Sequence, residues 1–206
     1  MGLSIKTCYT VKIQKQLDAT QDKTTEKLNI ARKRAVDSRL MRQTSLICLE
    51  ALKFCVSVIS EEWDTIMGVE SKLRKRLIDT LVHRTKTAAP KYPEFDLKFP
   101  KMPGYTRRAI IADAFGMVKS YRSNHKNWKE TPPMERGAEP TLGIPSRYEL
   151  TFYDQERKMS CLADSQIGLK LYNGKTWNWY YFQIRPSDAK QISRLSKTRK
   201  MLSPIV

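Results

Sequence analysis

Catalysis requires nucleophile–base pairs, grouped carboxylates or soft metal ligands at workable spacing, and this chain of 206 residues offers few of them. It holds no GxSxG, Walker loop, HExxH or GxGxxG pattern. Its acids cluster only at Glu61, Glu62 and Asp64. Successive helix positions point in different directions, so that cluster reads as a solvated helix end and not as a metal site. Cys8, Cys48, Cys55 and Cys161 form no CxxC, and only His83 and His125 could join them, which is poor spacing for a metal or a disulfide framework. Cys48 and Cys55 sit on an apolar stretch and read as small buried hydrophobes in a reducing compartment.

The stronger chemical signal is cationic. Lys and Arg number 38 against 21 Asp and Glu, a formal net charge of +17. Between Lys98 and Lys129 there are eight basic residues and one acid, Asp113; from Lys72 to Lys91 there are seven and one, Asp79. Tyr105, Tyr121, His125 and Trp128 are interleaved with these cations. A cationic surface with aromatic platforms suits a nucleic-acid backbone and its bases. The candidate contacts are Lys72, Arg74, Lys75, Arg76, Arg107, Arg108, Lys119, Tyr121, Arg122, Asn124 and Lys126, with Lys197, Arg199 and Lys200 near the C-terminus. The plainer alternative is a soluble basic surface with its aromatics in the core. No catalytic residue, metal site or cofactor is expected in this chain.

Hydrophobic period indicates the elements that carry these residues. Residues 4–14 alternate apolar and polar and predict a strand. From there to about residue 85 Gly68 is the one glycine and there is no proline, which predicts long helices over about 21–41, 44–64 and 69–84. The second is apolar at Leu49, Leu52, Val56, Ile59 and Trp63 and should centre a bundle. Pro90, Pro93, Pro100 and Pro103 alternate with Tyr92, Phe95 and Phe99, an extended connector over 85–104 pinned by aromatics. A fourth helix over about 105–129 carries a core ridge of Ile111, Ala114, Val118, Tyr121, His125 and Trp128. Lys119, Arg122, Lys126 and Lys129 repeat at the same spacing beside it.

Beyond the Gly- and Pro-rich stretch 130–146 the period becomes two, over Tyr148–Tyr153, Lys158–Leu162 and Gln166–Tyr172. Asn173-Gly174 signals a hairpin to the strand Thr176–Arg185. A two-residue loop would set Lys170 opposite Trp177, Gly168 opposite Trp179, and Leu171, Leu169 and Ile167 opposite Thr176, Asn178 and Tyr180. Ser187–Ser196 reads as a short helix. No run approaches the roughly 18 uncharged apolar residues of a membrane span, and Lys6, Lys12 and Lys15 stand where a signal peptide would be apolar. Lys6 also occupies the position where myristoylation needs Ser or Thr. A cytoplasmic protein without a membrane partner is expected.

The blocks YTRRAIIADAFGMVKSYRSNHKNW, IGLKLYNGKTWNWYYFQI and MLSPIV, preceded by Tyr92, Phe99 and Pro103, carry a resemblance. In their order and spacing the chain resembles the N-terminal half of the TnpB (OrfB) proteins of insertion sequences, a family counted among the transposases and related to type V CRISPR effectors. The likeness covers about residues 90–206 by motif and 1–90 by layout; Gly104 stands where the family would have Ser. It implies an α+β fold in which a helical recognition bundle (17–145) is inserted after the first strand (1–16) of an antiparallel β-barrel wedge domain, whose remaining strands (146–206) stop short of closure. It further implies a guide RNA and a double-stranded DNA target as partners, and a prokaryotic cytoplasmic protein that joins the nucleoid when bound to DNA. The family's magnesium-dependent RuvC-like nuclease and its zinc ribbon would begin beyond Val206, so a binding module without its own catalytic centre is expected. A truncated, inactive transposon relic and a nuclease-less RNA-guided repressor remain open alternatives.

Overall fold

The computed structural model describes residues 15–17, 38–86, 88–152, 157–158 and 165–197. The expected strand 4–14 and most of the expected helix 21–41 lie outside the described residues. The described residues build a helical layer packed against an antiparallel sheet, an α+β arrangement.

Helix α1 spans Ser38–Glu61. Sequence periodicity places a helix boundary at residues 42–43, but no Gly or Pro interrupts the chain there, the hydroxyls of Thr44 and Ser45 bond to Leu40 O and Tyr148 O instead of capping a new helix, and the helix runs straight through. Cys48, Leu49, Ala51, Leu52, Cys55, Val56, Val58 and Ile59 are all buried, a broad apolar face against both α5 and the sheet. By length and composition alone α1 could cross a membrane. Half of its apolar stretch is buried inside the fold, so here α1 is a core helix. Its outer face carries the exposed Glu50–Lys53 ion pair (2.8 Å).

The expected helix 44–64 breaks at Glu62 (φ −92°, ψ 15°), and α2 continues over Trp63–Met67. Backbone hydrogen bonds bridge the break, Glu62 N to Val58 O and Ile66 N to Glu62 O, each 2.9 Å. Helix α3 (Ser71–Val82) buries Ile78 and Val82. The connector then contains one turn of helix the proline spacing did not announce, α4 (Glu94–Lys98), which begins directly after Pro93. Phe95 and Phe99 are buried there, edge-on to Phe54 of α1 at 5.6 and 6.2 Å.

Helix α5 (Gly104–Glu130) is 27 residues long, about 40 Å at 1.5 Å per residue. Its buried ridge is Arg107, Ile110, Ile111, Ala114 and Val118. A short 3-10 turn, Pro133–Glu135, comes next. Over 148–152 the expected alternation holds in burial, Tyr148, Leu150 and Phe152 in and Glu149 out, but only Thr151 forms a bridge.

Strands β1 (Lys15–Leu17), β2 (Arg157–Lys158), β3 (Gln166–Tyr172) and β4 (Trp177–Gln183) form one antiparallel sheet in the order β1-β4-β3-β2. The chain therefore leaves the sheet after β1, builds the helices, and returns; β1 pairs Lys15 with Gln183 and Leu17 with Tyr181. Helix α6 spans Pro186–Lys197. The buried residues of helices and sheet form a single hydrophobic cluster.

The hairpin register differs from expectation by two residues: Tyr172 pairs with Trp177, Lys170 with Trp179 and Leu171 with Asn178. The loop is therefore four residues, Asn173 to Thr176. Asn173 Oδ1 accepts from the amides of Lys175 (3.0 Å) and Thr176 (2.9 Å), and Asn173 N donates to Thr176 O (3.1 Å). These bonds close a wider turn around Gly174, whose φ is +93°. A shift of two does not exchange the two faces of the hairpin, and the structure shows that the face carrying Ile167, Leu169 and Leu171 is the buried one.

Two hydroxyls join the layers. Thr44 Oγ1 donates to Leu40 O (2.8 Å) and accepts from Tyr172 N (2.9 Å). Ser45 Oγ donates to Tyr148 O (2.6 Å). Both residues are buried, and both hydroxyls are thereby satisfied.

Candidate nucleic-acid interface

The cations divide by what they touch. Arg107 corrects an expectation: the structure buries it, and its Nε donates to Asp79 Oδ1 at 2.6 Å. It lies on the ridge with Ile111 and Ala114, one turn into α5, where α3 crosses, so its charge binds helix to helix. It is not positioned to meet a phosphate.

Three further arginines close helix ends. The last carbonyls of a helix lack intrahelical partners and carry its negative pole, which a guanidinium satisfies twice over. Arg74, half-buried, donates to Met67 O (3.2 Å) and Val69 O (3.1 Å) at the end of α2. Arg122 donates to Ser60 O (3.1 Å) at the end of α1 while lying over the Trp63 ring at 5.0 Å. Arg136, in the loop after α5, donates to Lys129 O (2.6 Å) and Thr131 O (2.7 Å) and lies over Trp128 at 5.1 Å. Arg122 stays exposed, so one edge can serve a ligand while the other caps.

Other cations are committed more lightly. Lys72 pairs with Glu70 (2.9 Å) and Lys126 with Glu130 (3.7 Å), both exposed surface pairs of small energetic worth. Arg108 lies over Tyr105 at 4.3 Å and stays exposed. Lys75, Arg76, Lys119, Asn124 and Lys129 are exposed. Lys197 closes α6, while Arg199 and Lys200 lie outside the described residues.

On α5 the exposed cations Arg108, Lys119, Arg122, Lys126 and Lys129 recur at helical steps. They form one stripe about 90° from the buried ridge, using the 100° turn per residue. Beyond that ridge lies an aromatic ladder. Tyr121 meets His125 at 5.6 Å, and His125 stacks on Trp128 at 5.9 Å and 22°. Tyr121, His125 and Trp128 are all half-buried. On the stripe's own side Phe115 stacks on Trp63 at 6.0 Å, with Arg122 above the indole. Cations and π faces therefore lie along the same helix. Trp63 and Arg136 stand outside the residues expected from the sequence to form the site; an Arg spaced to reach back over the end of α5 was the available signal for the second.

Chemistry elsewhere is structural. At the α1–α2 break the buried Glu62 carboxylate accepts from Tyr92 Oη (2.7 Å) and from the Lys91 ammonium. Lys91 foremost, then Tyr92, hold its carboxyl below the usual glutamate range. Burial first, then Glu62, push the Tyr92 hydroxyl up. Asp96 joins the connector to the end of α3, through His83 Nδ1 (2.7 Å) and Arg84 N (2.9 Å). Burial pushes the Cys55 thiol up to about 12, which makes it a poor nucleophile at neutral pH. Among the described residues no group of three or more His, Cys, Asp and Glu could hold a metal ion.

Among known proteins, the Aq_aa04 family pattern matches residues 24–173, from ahead of α1 through all the helices up to α5 and on to the hairpin loop. No curated protein and no solved structure matches the chain. A match over well more than half of the sequence settles membership: the chain belongs to the Aq_aa04 family.

Proposed function

We propose that the protein is a nucleic-acid-binding module that grips a phosphate backbone along α5 and contributes no catalytic centre of its own. The observation that carries the reading is the exposed stripe of Arg108, Lys119, Arg122, Lys126 and Lys129. It spans about 30 Å of helix at 1.5 Å per residue, in a chain of net charge +17. The exposed Lys72, Lys75 and Arg76 of α3 extend the cationic surface. Phosphate contacts of this kind fix the position of a nucleic acid and carry little sequence information.

The finer form of the proposal is the recognition half of a TnpB-like protein, with a guide RNA and a target duplex as partners and the cytoplasm as compartment. Two things support it: the sequence blocks that resemble the family, and a chain order in which β1 precedes the helices yet pairs with β4 beyond them. The sheet would then be the wedge domain and the helices its recognition insertion.

The test is a filter-binding series with a structured RNA hairpin and with duplex DNA across salt concentration. Affinity should fall steeply with salt, since released counterions drive binding. Replacing Lys119, Lys126 and Lys129 with Gln should flatten the log–log slope by about 2 to 3, because each lost phosphate contact removes roughly 0.7–0.9. All three side chains are exposed, so circular dichroism should show an unchanged fold. A folded triple variant with the parent's affinity and slope refutes the reading.

A further inference from the structure

We propose that Tyr121, His125 and Trp128 form a base-stacking site for single-stranded nucleic acid, covered in the free protein by the strap of residues 131–140. The proposal rests on the phosphate-binding reading of the stripe on the same helix and names which form of nucleic acid that helix takes.

The strap is held to α5 almost wholly by polar contacts. Residues 132–139 are all exposed, and Met134 is 98% exposed. Trp128 Nε1 donates to Gly137 O (2.9 Å), Arg136 caps the helix end and lies over Trp128, and His125 Nε2 meets Glu139 Oε1 at 3.1 Å. A segment without buried side chains contributes little to the core and opens at small cost.

What the strap presents to the ladder is the chemistry of a nucleotide. A planar guanidinium covers the indole, and a carboxylate meets the imidazole. One face of Trp128 is occupied by His125. Arg136 lies over the same indole, so a base stacks there by displacing the guanidinium. Its phosphate would replace Glu139 at His125, and the released Arg136 would add a cation beside it. Aromatic faces accept any base, and only unpaired bases can reach them. A duplex would meet the stripe alone.

The experiment measures anisotropy of three labelled probes: an oligothymidylate of about 20 nucleotides, an oligouridylate of the same length, and a duplex of the same length. A 2-aminopurine in each single strand reports stacking. Glu139→Gln should bind single strands about threefold to fivefold tighter than the parent by removing the competing closed state, with a smaller change for duplex. Trp128→Phe keeps the ring but loses the bond to Gly137, and should bind single strands at least as tightly as the parent with 2-aminopurine still quenched. Trp128→Ala should lose the quench and about tenfold in single-strand affinity, with duplex affinity unchanged. A gain confined to one sugar supports the site and identifies RNA or DNA as its source. Equal shifts for single strands and duplex in Glu139→Gln, or an undiminished quench in Trp128→Ala, overturn the proposal. If the Lys119/Lys126/Lys129 variant loses duplex affinity while the ladder variants behave like the parent, the stacking site falls and the phosphate-binding reading stands.

Discussion

Replacing Arg107 with Met separates a structural cation from those proposed to bind nucleic acid. Arg107 and Asp79 have 11% and 23% of their side chains exposed. Removing one partner of a fully buried pair costs about 3–5 kcal/mol, because the other charge is left stranded. Asp79 retains some access to water, which brings the expected cost to about 2–3 kcal/mol. For a chain of this size each kcal/mol shifts Tm by about 2–4 °C, so the variant should melt roughly 5–10 °C lower. Thermal unfolding followed by circular dichroism reads this directly. Arg107→Met/Asp79→Leu should recover much of the loss, since a packed apolar pair carries no stranded charge. RNA affinity and its salt slope should match the parent for both variants below their melting temperatures. An Arg107→Met protein that melts with the parent but binds RNA more weakly would refute the assignment of Arg107 to the α3–α5 contact.

The Glu62 carboxyl is held below its ordinary value of 4.5. Its stabilising contribution is therefore complete above that value and is lost as pH falls through the lower folded-state value. Urea unfolding at neutral pH and near pH 3 should show an acid loss that Glu62→Gln diminishes; an identical pH dependence in parent and variant would exclude the Lys91–Glu62–Tyr92 tie as a source of acid sensitivity. Cys48 and Cys55 are buried, and with the Cys55 thiol near 12 mass spectrometry should find both unalkylated by iodoacetamide at pH 8 until urea is added. Labelling of either in the native protein would contradict their place in the core. Gly174→Val puts a branched side chain at φ +93°, and should cost about 1–2 kcal/mol in denaturant titration. A variant as stable as the parent would mean that the four-residue turn does not need this conformation.

The period of apolar residues was enough to locate α5 within one residue at each end, because its ridge and its cation stripe both repeat at helical steps and Pro103 marks its start. The same local patterning placed Cys48 and Cys55 in the core and put Ile167, Leu169 and Leu171 on one face of the hairpin, which any even shift of register preserves; that this face is the buried one was decided by packing against α1. The register itself was a tertiary and turn-level decision. Asn173 closes a four-residue loop through its side-chain oxygen, and Thr44 of α1 holds the amide of Tyr172, a partner far away in sequence. The cations divide for the same reason. Charge and spacing are alike for Arg107 and Arg108, neighbours in the chain, yet Asp79 lies opposite only the first. That Ser60 O lies within reach of Arg122 depends on where α1 stops against α5, and no pattern along a single helix records that. Local sequence determined which residues could be cationic, aromatic or buried, since side-chain direction follows from helix and strand period; the packing of α3 and α1 on α5 decided which charges hold the fold and which face outward.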